Sequence, residues 1–249
     1  MDTDTTEEQT TLTFKQLTGR AQEKAREWLI EVATDYDWWQ DVYSRAKIEG
    51  EAKGFEIEDI RFSGFWSQGD GASWTGEVRF DVWLEWMLDQ PEDTPEHRWI
   101  GANRTAYMIL CDLAGEGMLG SNLIEVTRSG YHYVHENTTK PASIDYDALL
   151  DLREAEDLSE AHAIVVANKD SIFYGASIKR LIQHMDLRGL FNDLDEKLKE
   201  DVQDFSRHIY KQLEAEYYSI TDDEQLAEMA EANGWMFDED GELEYGELT

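Results

Sequence analysis

The stretch from Ile60 to Trp86 places the strongest constraint on the fold, because its apolar and polar residues alternate. From Trp74 onward every even-numbered position is apolar or glycine, while the odd-numbered positions are mostly polar, with Trp83 as the exception. A period of two is typical of a β-strand with one buried face. The preceding sequence SGFWSQGDGAS, residues 63–73, contains glycines that permit positive φ angles in a turn. We therefore predict a β-hairpin with a long connection rimmed by aromatic residues.

A second hairpin is predicted further along the chain, and helices around both. Apolar and aromatic residues at 123–127 and 131–135 flank a short turn sequence, as two antiparallel strands would. Helical patterns are predicted to begin at Thr13 or Thr18, after Asp37, near Pro95 as far as residue 114, and at Thr221 with Glu224 as its capping-box partner.

The longest helical pattern occupies the C-terminal part of the chain. Apolar residues recur at intervals of three and four from Phe191 to Tyr217, which is the spacing of one helix face. The predicted fold class is α+β: a mostly antiparallel sheet from two hairpins, helices packed on one face, and a long C-terminal helix. We expect residues 1–11 to be a disordered acidic leader, 12–234 a single α+β domain, and 235–249 an acidic hairpin or tail.

The composition indicates a folded protein without a membrane-spanning helix. A chain of 249 residues that is 41% hydrophobic can bury a core. It has no apolar run near the roughly 18 residues of a membrane helix, and its acidic start is unlike a secretory signal. Cys111 is the sole cysteine, so no intrachain disulfide can form. The expected location is therefore a reducing cytoplasm, that of a host cell.

The formal net charge of −33 at pH 7 restricts the partners of the chain. A charge of this size repels nucleic acids and anionic membranes, so we expect neither as a direct ligand. Two interpretations of the acidity remain open. It serves solubility or adaptation to high salt, or it offers an acidic face to a basic protein that normally grips nucleic acid.

The acidic residues concentrate after residue 192, where they greatly outnumber the basic ones. On the predicted long helix, the side opposite the apolar stripe carries a row of carboxylates. These are the predicted partner-binding residues: Asp193, Glu196, Glu200, Asp204 and Glu214. Like charges at helical spacing repel each other, and a basic partner would relieve that repulsion.

The loop at 63–73 and its border are the second candidate site. Polar side chains there could contact a small molecule or nucleotide while tryptophans stack on it, because glycines let a ligand approach the backbone. The residues concerned are Trp66, Ser67, Gln68, Asp70, Ser73 and Trp74. No lysine follows the glycines, so the loop is not a P-loop. The alternative is a structural turn whose side chains bond to their own backbone.

No complete catalytic or metal-binding motif is present in the sequence. His132 and His135 lie close together, but no further ligands stand at a recognised spacing. The DEDG sequence at 238–241 is similar to a calcium loop, yet Met236 stands where the first aspartate ligand is needed. We therefore expect no catalytic residues, no metal and no cofactor, and the sequence favours a protein that is not an enzyme.

Two longer stretches carry a resemblance to a known group of proteins. The first is SGFWSQGDGASW with the preceding WLIEVATDYDWWQDVY, and the second is the ending HIYKQLEAEYYSITDDEQLAEMAEANGWMF. Both resemble a family of small phage- and prophage-encoded proteins, some of which are labelled antitoxin-like. The resemblance implies a phage context and no particular activity.

Charge and resemblance together lead to one functional prediction. It is a non-enzymatic acidic phage protein that binds and inhibits a host defence or nucleic-acid-binding protein, by mimicking the charge of nucleic acid. The expected partner is a host protein with a basic surface, and a homodimer is compatible with the sequence. Two alternatives stay open: a small-molecule-binding or hydrolytic module at the SQGDGAS loop, and an acidic regulatory or structural phage protein.

Overall fold

The computed structural model describes residues 11–115, 117, 119, 121–129, 138–154, 180 and 182–245. The chain divides into two compact units. The terminal unit comprises Met1–Val42 with Lys211–Thr249, and the central unit comprises Tyr43–Tyr210. Within the ranges described, no helix is both long and apolar enough to cross a membrane.

Helices account for most of the described secondary structure. They are α1 Gly19–Thr34, α2 Gln40–Glu51, α3 Phe80–Leu88, α4 Pro95–Ile100, α5 Arg104–Gly115, α6 Asp147–Glu154, α7 Leu187–Ile220 and α8 Asp223–Ala232, with short 3-10 helices at Phe14–Gln16 and Gly101–Asn103. The strands are β1 Phe55–Phe62, β2 Ala72–Arg79, β3 Leu123–Arg128, β4 Thr139–Pro141, β5 Met236–Phe237 and β6 Leu243–Tyr245.

The central unit contains a four-stranded antiparallel sheet in the order β1-β2-β3-β4. β1 and β2 form the predicted first hairpin, and β3 pairs with β2 and with β4. The prediction that a strand near 123–127 continues the first sheet is therefore confirmed, whereas its predicted partner at 131–135 lies outside the described residues. The antiparallel sheet together with the long helix α7 confirms the α+β class.

The predicted strand is wrong beyond Arg79, where the chain turns into α3. Asn122 holds this junction: its backbone carbonyl accepts from the Phe80 N–H at 2.9 Å, and its Oδ1 accepts from the Asp81 N–H at 3.0 Å. The residues that α3 buries are Phe80, Trp83, Leu84, Met87 and Leu88. A helix places these residues, which are three and four positions apart, on one buried face, whereas a strand would divide them between two faces. The helix is therefore the more stable structure here.

Aromatic contacts between the sheet and α7 form the core of the central unit. Trp74 on β2 has no exposed surface, and its indole Nε1 donates to the carbonyl of Val202 at 3.3 Å. The ring of Phe55 lies 5.4 Å from the rings of both Trp74 and Phe205. These contacts fix one side of α7 against β1 and β2, so its other side is available to solvent.

A bulge in β1 lies opposite a required glycine in β2. The register shifts between Ile57 and Asp59, and Gly76 stands across from this point. Gly76 has a φ of +148°, and a Cβ added there would overlap the carbonyl oxygen of Glu56. Because only glycine leaves this space empty, the alternation of apolar residues in β2 is interrupted here for a steric reason.

The terminal unit packs α1, α8 and the β5–β6 hairpin around its own small core. Its buried residues are Phe14, Leu17, Ala25, Leu29, Ala33, Leu226, Ala227, Ala230, Trp235 and Phe237. Leu12 exchanges two backbone hydrogen bonds of 2.8 Å with Phe237. Gln16 Oε1 accepts from the Thr13 N–H at 2.8 Å, as the predicted capping box requires, and α1 itself begins after Thr18.

Two predicted helices have different boundaries in the structure. The helix expected over 95–114 is divided into α4, a 3-10 turn and α5, because Gly101 adopts a φ of +42°. The N-cap of α8 is Asp222, whose Oδ1 accepts from the Glu224 N–H at 2.9 Å. Thr221 does not cap α8, because its hydroxyl donates to the carbonyl of Tyr217 at 2.8 Å.

Candidate functional site

The carboxylate of Asp70 holds the 63–73 loop together. Its Oδ2 accepts hydrogen bonds from the backbone N–H groups of Trp66 at 2.8 Å and Ser67 at 2.6 Å. These bonds, the one from Ser67 above all, lower the pKa of Asp70 below its usual value. A short polar side chain bonded to nearby backbone is the mark of a structural turn, so the geometry favours that alternative.

The loop is also anchored on α7. The hydroxyl of Tyr210 donates to the carbonyl of Gly64 at 3.2 Å, and the Tyr210 ring lies 5.5 Å from the ring of Phe65. Phe65 in turn stacks on Phe62 of β1 with the ring centroids 5.8 Å apart. The loop is thus tied to both a strand and a helix, and it carries Trp66 with 69% of its surface exposed.

The predicted loop residues occupy two different environments. Trp66, Ser67 and Gln68 are exposed at the tip of the loop. Ser73 and Trp74 have no exposed surface and lie on β2. The structure therefore brings three of these side chains together on the surface and places two in the sheet, and ligand binding at the loop stays a prediction.

The predicted acidic residues follow one another along α7. Asp193, Glu196, Glu200 and Asp204 are exposed within the central unit. Glu214 is only partly exposed and belongs to the terminal unit. We call the first four the acidic row.

Half of the acidic row already has a cation nearby. Glu200 lies 3.5 Å from the ammonium of Lys197, and Asp204 pairs with Arg207. In the part of the chain that the structure describes, Asp193 and Glu196 form no ion pair of this kind. These two carboxylates therefore have the most charge to offer to a partner.

A buried ion pair lies beneath the acidic row. The Lys197 Nζ is 2.6 Å from Asp201 Oδ1, with side chains only 8% and 10% exposed, and the Trp83 indole donates to the second carboxylate oxygen at 3.0 Å. Burial raises the pKa of Asp201 against the opposing influence of Lys197. Burial alone would lower the pKa of Lys197, but the hydrogen bond and charge of Asp201 outweigh it and raise that pKa. Removing either partner would leave the other charge buried and unpaired, which is strongly destabilising.

A cleft of about 140 Å³ opens next to this ion pair, and we call it the aromatic cleft. It is lined by Lys53, Phe55, Trp86, Glu96, Asp201, Asp204, Phe205 and His208. The ammonium of Lys53 lies 4.9 Å from the centre of the Trp86 ring and 5.4 Å from that of Phe205. Both distances are within the range of cation–π attraction.

The turn after α2 determines where Lys53 stands. The Lys53 N–H donates to the carbonyl of Gly50 at 2.8 Å, and the carbonyl of Gly54 accepts from the Arg79 N–H at 2.8 Å. Gly54 has a φ of +79°, and a Cβ there would lie 2.8 Å from the backbone nitrogen of Trp83. The start of β1 therefore lies close against the β2–α3 junction, and Lys53 belongs to the turn that leads into it.

The sequence alone did not identify the aromatic cleft. Its lining comes from the turn after α2, from the start of β1, and from α3, α4 and α7, and no local motif joins these segments. The spacing of Asp201, Asp204, Phe205 and His208 on a helix was the one signal available, because residues three and four apart share a helix face.

No metal or redox site emerges from the described ranges. No group of three or more His, Cys, Asp or Glu side chains is arranged there to hold a metal ion, and His132 and His135 lie outside these ranges. Burial, followed by the charges of Glu85 and other nearby carboxylates, raises the pKa of Cys111 to about 11. Its thiol is therefore protonated at neutral pH, unlike that of a reactive cysteine.

Comparison with known proteins gives the chain a family. Neither the curated proteins nor the solved structures contain a match. The family match begins at residue 38 and ends at residue 223, so it covers the whole central unit and includes the loop, the acidic row and the aromatic cleft. Because it spans most of the chain, the protein belongs to the family defined by the domain of unknown function DUF8835.

Proposed function

We propose that the chain is a non-enzymatic binding protein that offers the acidic row of α7 to a basic surface on another protein. The observation that carries this proposal is the exposure of Asp193, Glu196, Glu200 and Asp204 along a helix whose other side is fixed in the core. The net charge of −33 would favour rapid association with a basic partner. The resemblance to phage-encoded proteins supports a host protein as the partner. Occupation of its basic surface by the acidic row would inhibit that protein.

The spacing of the acidic row favours a basic protein patch over a full imitation of duplex DNA. Asp193 and Asp204 are separated by roughly 16 Å along the helix, at about 1.5 Å per residue. Four carboxylates over this length give about one charge per 5 Å, compared with one per ~1.7 Å in duplex DNA. Charge mimicry of DNA, the narrower form of the proposal, therefore needs carboxylates from neighbouring elements as well.

The test compares two sets of neutral substitutions in the full chain. The first is Asp193→Asn, Glu196→Gln and Glu200→Gln together, which removes three exposed charges of the acidic row. The matched control is Glu23→Gln, Glu27→Gln and Glu31→Gln, which removes three exposed charges from α1. Both sets change the net charge equally, so a difference between them reports position and not total charge.

Tagged wild-type and variant chains are used to capture proteins from a host-cell lysate, and the affinity of the captured basic protein is then measured. We expect the acidic-row variant to bind about tenfold more weakly, because exposed ion pairs contribute roughly 0.2–1 kcal/mol each. The α1 control should bind like wild type. Binding should also weaken as salt is raised, because screening shortens the reach of exposed charges to about 8–10 Å.

Two results would contradict the proposal. One is unchanged capture by the acidic-row variant; the other is equal loss in both variants, which would indicate a dependence on net charge alone. If the acidity instead serves life at high salt, no basic protein is captured, and the free energy of unfolding rises with salt in all three chains.

A further inference from the structure

We propose that the aromatic cleft is a receptor for one arginine side chain of the basic partner, and that Lys53 is the cation that rests there in the free protein. This inference deepens the proposed function and rests on it, since it names the group that the partner inserts. The cleft lies beside the acidic row, with Asp204 common to both.

The walls of the cleft already support a cation. The Lys53 ammonium is within 5.4 Å of two ring centres, Trp86 and Phe205, and aromatic faces attract cations because their π systems are negative. Across the described chain, Lys53 forms no ion pair with a carboxylate. It is therefore held by the rings and by the position of its backbone, and it does not neutralise any carboxylate of the cleft.

The charges around the cleft favour a second cation. Asp201 is paired with Lys197, and Asp204 with Arg207. Glu96, in the first turn of α4, has no ion-pair partner among the residues described. Burial is the largest influence on the pKa values of Asp201 and Lys197, and the negative charge of Glu96 adds a smaller one that raises both. A cation that entered the cleft would gain this unpaired carboxylate in addition to the rings.

Arginine fits these walls better than lysine does. A guanidinium is planar, so it can stack on an indole ring while its N–H groups bond to carboxylates at its edge. The cleft has a volume of about 140 Å³ with Lys53 in place, so a guanidinium can enter beside Lys53 or displace it. Lys53 then competes with the arginine for the same aromatic rings and weakens its binding.

The test follows the Trp86 indole N–H by NMR in the full chain. The probe is N-acetyl-L-arginine amide, and the control probe is N-acetyl-L-citrulline amide, which has nearly the same shape but no charge. The Trp86 signal is assigned from its loss in Trp86→Phe. Lys53→Met removes the resident cation, while Lys199→Met removes an exposed charge from α7 and serves as the control for net charge.

We expect the arginine probe to shift the Trp86 signal in a saturable way, and the citrulline probe to leave it unchanged. Lys53→Met should tighten arginine binding about two- to fivefold, the range of one exposed cation–π contact. Lys199→Met should change it less. Glu96→Gln, which alters no ion pair of the described chain, should weaken arginine binding by a similar two- to fivefold, the range of an exposed ion pair.

Three outcomes would overturn the inference. They are no saturable shift in either wild type or Lys53→Met, an equal shift with citrulline, and an equal gain from Lys53→Met and Lys199→Met. A dispersed amide spectrum in each variant establishes that it is folded.

The inference and the proposed function can fail separately. If the partner depends on Glu196 and Glu200 but binds Trp86→Phe and Glu96→Gln like wild type, the acidic row is the interface and the cleft is not. If the arginine probe binds as expected while the acidic-row variant still captures the partner, the cleft takes a cation and the proposed interface is wrong.

Discussion

Replacing Asp70 by alanine is expected to loosen the 63–73 loop and to lower the free energy of unfolding. The carboxylate accepts two backbone N–H groups, from Trp66 and Ser67, and each hydrogen bond contributes about 0.5–1.5 kcal/mol. The loop is open to water, which replaces part of what is lost. We therefore expect Asp70→Ala to cost about 1 kcal/mol, at the lower end of that sum.

Asparagine at the same position keeps a hydrogen-bond acceptor but removes the negative charge, so it separates the contributions of the two to stability. Both N–H groups converge on one oxygen, Oδ2 of Asp70, and an amide oxygen can accept two hydrogen bonds. Asp70→Asn should therefore cost about half as much as Asp70→Ala. Glu92→Ala, in the exposed turn before α4, controls for the loss of one negative charge and should be neutral.

The assay is urea unfolding of the three variants at neutral pH, repeated for wild type at low pH. Because the folded-state pKa of Asp70 is lowered, its contribution is present above the unfolded value near 4 and is lost as the pH falls through the folded pKa. Equal costs for alanine and asparagine, or a cost for alanine no larger than that of Glu92→Ala, would refute the hydrogen-bonding argument.

Further predictions concern the core and the cysteine. Phe80 has no exposed surface and lies 6.3 Å from the ring of Phe191, so Phe80→Ala should cost about 3–5 kcal/mol in urea unfolding; a cost near that of Asp81→Ala, which we expect to be below about 1 kcal/mol, would argue against the α3 packing. Burial and nearby carboxylates raise the pKa of Cys111 to about 11, so alkylation by iodoacetamide at pH 7.5 should be about tenfold slower in the folded chain than in urea. Mass spectrometry measures that rate, and equally fast alkylation in both states would show that the thiol is not protected.

In the β2–α3 region, the sequence pattern alone could not distinguish a strand from a helix. A strand with a period of two and a helix with a period of 3.6 both place Phe80 and Leu84 on one face, so the alternation alone could not separate them. Trp83 and Met87 are apolar residues at odd-numbered positions, which the alternation assigns to the polar face. The helix buries both of them. The helix is favoured by Asn122, about forty residues away in sequence, which accepts hydrogen bonds from two backbone N–H groups of the first helical turn.

The long helix α7 was predictable for the opposite reason. Its apolar residues repeat over many turns, so the helical period is unambiguous and the exposed position of the acidic row follows from it. For the 63–73 loop, the sequence left open a ligand site or a structural turn. The hydrogen bonds of Asp70 depend on a local conformation that composition does not specify. The aromatic cleft depends on tertiary packing, because its lining comes from five segments, most of them far apart in the sequence.

The glycine opposite the β1 bulge has a consequence for how relatives of this protein diverge. The space beside Gly76 is filled by the carbonyl oxygen of Glu56, and a carbonyl of the main chain cannot be removed by mutation. Sequences that inherit this hairpin can therefore change its loop, its surface charges and even its partner, but each will keep a glycine here. In distant members of the lineage, that glycine will mark the register of the two strands after other similarity has been lost.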